Sequence, residues 1–257
     1  MNTHASIAAR LTEATLADIE GLNPESAGFC RPGCCDPDLP ADLPSSFGPL
    51  DLHLMIGTPL PPTQWDKLAT GISGYGGVNA KLKGEKNAKA TLYYRPGGDV
   101  AAPAPMLCFR GTETGVTATE FTGVAEGELP FDAKGAVEVD RSEERFVFVC
   151  SHKVRDERCG YCGPVIVDLM RQAVAARYGD KAPIRIFPCS HVGGHAYAGN
   201  VLVYSKHGGR CFGCVTPENI DELVDYVAVH KDAKVPKELR ARLRGTMGPA
   251  VPSDETA

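Results

Sequence analysis

Short apolar runs, cut by polar stretches rich in glycine and proline, succeed one another from Phe47 onward. Residues 52–56, 90–94 and 106–109 are brief runs rich in branched and aromatic side chains, and predict strands. A short helix is expected over 64–72, after Pro61 and Pro62. The Thr- and Gly-rich stretch 111–136 predicts loops or short edge strands. Phe146-Val147-Phe148-Val149-Cys150 is a buried strand by length and β-branching, and residues 151–158 turn polar at once, as a loop does. Gly160, Gly163 and Pro164 lead into a helix whose apolar positions Val165, Ile166, Leu169, Met170, Ala173 and Val174 follow helical spacing.

Further on, 184–187 predicts a strand, 200–204 another, 206–209 a hairpin turn and 210–215 its return strand. Thr216 and Pro217 then open a helix, with Ile220, Leu223, Val224 and Val227 as its buried face. The order over 142–232 is β-α-β-β-β-α, a thioredoxin-like α/β arrangement. Residues 47–140 form a smaller N-terminal α/β domain, whose strand, helix, strand, strand order echoes the second and suggests a degenerate thioredoxin-like copy. Residues 1–46 form an extension: a marginal amphipathic helix over 7–22, a loop bearing Cys30, Cys34 and Cys35, and a Pro- and Asp-rich linker over 36–46. Residues 233–257 are expected to be a mostly disordered tail.

At 257 residues with 43% hydrophobic content, two compact domains with real cores are the expectation. A net charge of −5, without aromatic-interleaved basic stretches, argues against a nucleic-acid partner. No run approaches the roughly 18 apolar residues of a membrane span. Residues 1–16 lack the apolar core of a secretory signal and carry only Arg10 as a fixed cation, which also makes a poor mitochondrial transit peptide. A cytoplasmic location is expected, an organellar one being compatible. Ten cysteines without an export signal then point to metal ligands or redox groups rather than structural disulfides.

The chemistry concentrates between Cys150 and His195. Cys189-Ser190-His191-Val192-Gly193-Gly194-His195 holds two imidazoles around two glycines, which cost about 1 kcal/mol each in a helix, so a tight loop is expected. Cys150, Cys159, His191 and His195 then stand on neighbouring loops, two soft thiolates and two borderline nitrogens suited to a metal. Zinc also accepts two Cys and two His, although its usual knuckles hold about two to four residues between cysteines. Here eight separate Cys150 from Cys159. Cys159-Gly160-Tyr161-Cys162 has the spacing of a thiol–disulfide oxidoreductase, with Cys162 a spare thiol if Cys159 binds metal. Cys211 and Cys214 fall on opposite faces of a strand and make a poor chelate unless a bulge at Gly213 intervenes. His152 and Cys189 flank the ligand positions, and His53 and Cys108 are read as core.

Cys150-Ser-His, Arg155-Asp-Glu-Arg-Cys159-Gly-Tyr-Cys162-Gly-Pro, Cys189-Ser-His-Val-Gly-Gly-His195-Ala-Tyr-Ala-Gly-Asn200 and Val215-Thr-Pro-Glu together resemble the sucrase/ferredoxin-like family. The resemblance covers 142–232 closely and the first region in outline. It implies a thioredoxin-like ferredoxin domain with a [2Fe–2S] cluster on Cys150, Cys159, His191 and His195. On that basis the expectation is an iron–sulfur electron-transfer protein rather than an enzyme with its own substrate, serving an unidentified redox partner protein. Two imidazoles in place of thiolates raise such a cluster's potential, as in Rieske centres, and couple its reduction to proton uptake. A zinc-stabilised interaction module and a thiol–disulfide oxidoreductase working through Cys159 and Cys162 are the alternatives.

Overall fold

The computed structural model describes residues 7–22, 39–179, 181–229 and 234–251. Ten strands form a single mixed sheet: β1 (Leu52–Thr58), β2 (Ala88–Tyr94), β3 (Met106–Gly111), β4 (Val116–Thr122), β5 (Val137–Asp140), β6 (Arg145–Cys150), β7 (Ile184–Cys189), β8 (Val201–Ser205), β9 (Gly208–Phe212) and β10 (Leu243–Met247). Their order is β10-β9-β8-β6-β7-β2-β1-β3-β4-β5. Helices α1 (Glu13–Asp18), α2 (Tyr75–Leu82), α3 (Glu157–Tyr178), α4 (Ile220–Val229) and α5 (Lys237–Arg240) complete the regular structure.

The strand order repeats across its centre. β1 pairs parallel with β2 and antiparallel with β3, as β6 pairs parallel with β7 and antiparallel with β8. Gly57 faces Tyr93 in the first pair, and Cys150 faces Cys189 in the second. The halves join where Tyr93 meets Cys189 in an antiparallel pairing of β2 with β7. Ser190 extends the seam, its N–H donating to the Leu92 carbonyl at 2.9 Å while Leu92 N–H donates to Ser190 Oγ at 3.0 Å.

Strand alternation sends Met55, Leu107 and Phe109 of the first half into one core with Phe146, Phe148 and Tyr204 of the second. Leu54, Ile56, Cys108 and Phe121 point to the other face, where Trp65, Val78 and Leu82 cover them. The sheet curls around the shared core. Phe109 stacks on Tyr204 at 4.2 Å although four strands lie between β3 and β8 in sheet order. Among the described residues, no helix is long and apolar enough to cross a membrane.

Three expectations change. The first half's helix is not at 64–72, which holds a short 3₁₀ turn (Pro62–Gln64) and then turns. There Asp66 Oδ1 accepts from the N–H of Leu68 and of Ala69, and Trp65 Nε1 donates to the Leu60 carbonyl, so local side-chain bonds compete with helix formation. The helix is α2, formed despite Gly76 and Gly77 because Val78 and Leu82 are buried in the second core. α3 begins before Gly160, at Glu157, with the Asp156 carboxylate accepting from Arg158 N–H at 3.0 Å, and Pro164 lies inside it. The disordered-tail expectation is corrected over 234–251: Val235, Leu239 and Met247 are buried, and β10 closes the edge of β9. Cys30, Cys34 and Cys35 lie outside the described residues.

Candidate metal centre

Cys150 is the last residue of β6, and Cys159 sits in the first turn of α3, so the loop between them must double back sharply. Two glycines make this possible. A side chain on Gly160 would come within 2.7 Å of Lys153 Cα, and one on Gly163 would collide with Ser151 Oγ and the Cys150 carbonyl. α3 therefore lies directly against the loop, and Cys159 comes beneath Cys150. The third element is the loop after β7, which carries His191. Ligand atoms of Cys150, Cys159 and His191 lie within 4.8 Å of one another, with both thiols buried and the imidazole half-buried. His191 Nδ1 is 4.0 Å from Cys150 Sγ.

The two thiols are not equivalent. Cys159 S–H donates to Cys150, and this bond, with help from His191 and the Val192 N–H, holds the Cys150 thiol well below its ordinary range. The same bond and burial push Cys159 well above. Two thiols, one of them acidified, beside an imidazole make a donor set that borderline and soft cations favour, so the residues present fit a metal.

His195, expected as the fourth ligand, is outside that three-residue group. It is exposed and begins a 3₁₀ turn (His195–Tyr197), its ring centroid 5.8 Å from that of His191 and tilted 31° to it. Cys162 is buried in the main core, so neither thiol of Cys159 and Cys162 faces solvent. Cys211 is buried on β9, burial pushing its thiol up to about 12, while Cys214 packs apart, with Leu43 and Tyr197. Cys189 is buried at the seam and pushed well up by that burial. His152 supports the loops: its Nε2 donates to the Asp66 carbonyl at 2.8 Å and its Nδ1 accepts from His191 N–H at 3.4 Å.

Two cations that the sequence motifs do not mark, half-buried Lys89 and buried Arg244, hold the His191 loop by its carbonyls. Lys89 Nζ donates to Val192 O at 2.6 Å, and Arg244 Nη1 donates to Gly193 O at 3.1 Å and to Asn200 Oδ1 at 2.5 Å. Asn200 passes the tether on, its Nδ2 donating to Gly194 O at 3.1 Å. Lys89 had a signal, as the one charged residue within an otherwise uncharged strand. Arg244 had none, lying in the stretch read as tail. By contrast, Asp156 and Arg158 pair with each other at 2.9 Å beside the cap of α3.

With this geometry in hand, the sucrase/ferredoxin-like family model matches residues 46–244. Among curated relatives, "Altered inheritance of mitochondria protein 32" of Clavispora lusitaniae is 36% identical over 94 residues, covering 36% of this chain and 33% of that protein. Its Candida glabrata counterpart is 38% identical over 93 residues, 33% of this chain and 28% of that protein. "Actin patches distal protein 1" of Saccharomyces cerevisiae is 31% identical over 103 residues, 37% of this chain and 33% of that protein. The chain thus spans about a third of the length of these relatives. No solved structure matches. These names are not those of iron–sulfur electron carriers, and the expectation of an electron-transfer protein with proton-coupled redox chemistry is corrected on that finding.

Proposed function

The chain belongs to the sucrase/ferredoxin-like family, and on that premise we propose that it is a metal-binding protein whose centre is held by Cys150, Cys159 and His191. The observation that carries this reading is the convergence of those three ligand atoms within 4.8 Å at the ends of β6 and β7 and the start of α3. The group proposed there is a [2Fe–2S] cluster, with His195 as the fourth ligand from the exposed end of the same loop. Such a group, when bound, supplies a centre tuned by its ligands and by hydrogen bonds to them.

The chain's own residues bring the ligands together, keep both thiols from water and acidify one of them. The proposal concerns binding of the group and not electron carriage.

Anaerobically purified protein is assayed for iron, acid-labile sulfide and zinc, with about two irons and two sulfides per chain expected. Cys150→Ser, Cys159→Ser and His191→Ala should lose the group, and Cys162→Ser should keep it. A metal-free wild type overturns the reading. One zinc per chain overturns the cluster while leaving the centre.

A further inference from the structure

We propose that Lys89 is a positioning residue of the metal centre, supplied across the seam by the half of the chain that contributes no ligand. The inference rests on the metal-binding reading above. Lys89 stands on β2, and its side chain crosses to the other half to meet Val192, the residue after His191. Val192 is held at both ends: its N–H bonds to Cys150 and its carbonyl accepts from Lys89 Nζ at 2.6 Å. A single residue therefore links the ammonium to Cys150 and fixes the backbone next to the imidazole.

The surroundings of the ammonium point the same way. It is largely buried, with the Phe47 ring 5.5 Å away, and among the described residues no carboxylate pairs with it. An ammonium withdrawn from water is costly unless it is hydrogen-bonded, and the Val192 carbonyl supplies that bond. Arg244 grips the next carbonyl, at Gly193, but its other bonds, to Ser46 and Asn200, tie it into the surrounding scaffold. Lys89 has no such second task.

The test compares wild type, Lys89→Met and Lys89→Arg in two measurements: metal affinity, by competition with a chelator, and amide hydrogen exchange in the metal-free protein. Lys89→Met keeps the apolar stem and removes donor and charge. It should bind metal about 10- to 100-fold more weakly, the usual effect of removing a group that orients a ligand. Exchange should speed up over residues 190–196 and stay unchanged in β4, with Lys89→Arg recovering part of both effects. Wild-type affinity together with wild-type exchange in Lys89→Met overturns the proposal, as does faster exchange spread evenly over the sheet. If wild type binds no metal, the metal reading fails on its own, and the exchange arm still decides whether Lys89 positions the loop. Should Lys89→Met not fold, Lys89→Gln takes its place under the same criteria.

Discussion

His53 on β1 and Tyr204 on β8 meet across the core, Nδ1 to Oη 2.7 Å apart, with three strands between them in sheet order. The other ring nitrogen lies 2.7 Å from Thr91 Oγ1, so the fully buried imidazole has two partners, one nitrogen donating and the other accepting. Burial, with Lys89 nearby, takes its pKa from 6.5 down to about 3. Between those values the unfolded chain binds a proton that the folded chain refuses. Stability is therefore complete above about pH 6.5 and falls as pH drops toward 3, by ~1.4 kcal/mol per pH unit. Urea unfolding at pH 7, 5.5 and 4 should show this slope, and His53→Gln should flatten it. A slope unchanged in the variant would assign the acid lability to other groups.

Tyr204→Phe tests the same bond from its other end. It strands a buried ring nitrogen and should cost about 1–3 kcal/mol at pH 7 in the same unfolding measurement. A loss below roughly 0.5 kcal/mol would mean that water or a shifted ring satisfies the nitrogen.

Gly193 and Gly194 both have left-handed φ, +96° and +68°, yet their surroundings differ. A side chain on Gly193 meets nothing within 4 Å, whereas one on Gly194 collides with the Arg244 guanidinium and comes within 2.9 Å of Tyr197. Gly193→Ala should cost about 1–2 kcal/mol from backbone strain alone. Gly194→Ala should cost more and also weaken metal binding, since it dislodges the Arg244 tether. Equal melting temperatures for the two variants would contradict this ordering.

Truncation tests the C-terminal element. Ending the chain at 233 removes β10, exposes the edge of β9, and deletes the buried Val235, Leu239 and Met247. Each is worth about 1.5–3 kcal/mol of burial, together comparable to the whole stability of a domain. The shorter protein should aggregate or lose its cooperative unfolding transition.

Asp156 caps the helix that carries Cys159. Asp156→Ala should cost about 1 kcal/mol and lower metal affinity, because the first turn of α3 frays around its ligand. Asp156→Asn, which can still cap, should restore most of both. A normal melting temperature in Asp156→Ala would show that packing of the glycine face alone holds this turn.

What the sequence determined by itself is what local physics determines. The runs at 52–56, 90–94, 106–109 and 146–150 could bury only as strands, Thr216 and Pro217 could open only a helix, and glycines could let only a loop pass between His191 and His195. Cys150, Cys159 and His191 were legible for the same reason, as soft and borderline donors at the ends of elements and in the loop after them. What the fold alone decided depends on residues distant in sequence. That β2 and β7 join at Tyr93 and Cys189, that Leu243–Met247 is a strand, and that His195 stands outside the group formed by the other three all follow from which surfaces meet. Lys89 and Arg244 are the plainest cases. A charge in a strand or in a supposed tail reads as solvated until the chain folds, and only the carbonyls of Val192 and Gly193, brought in from 103 and 51 residues away, make their burial tolerable.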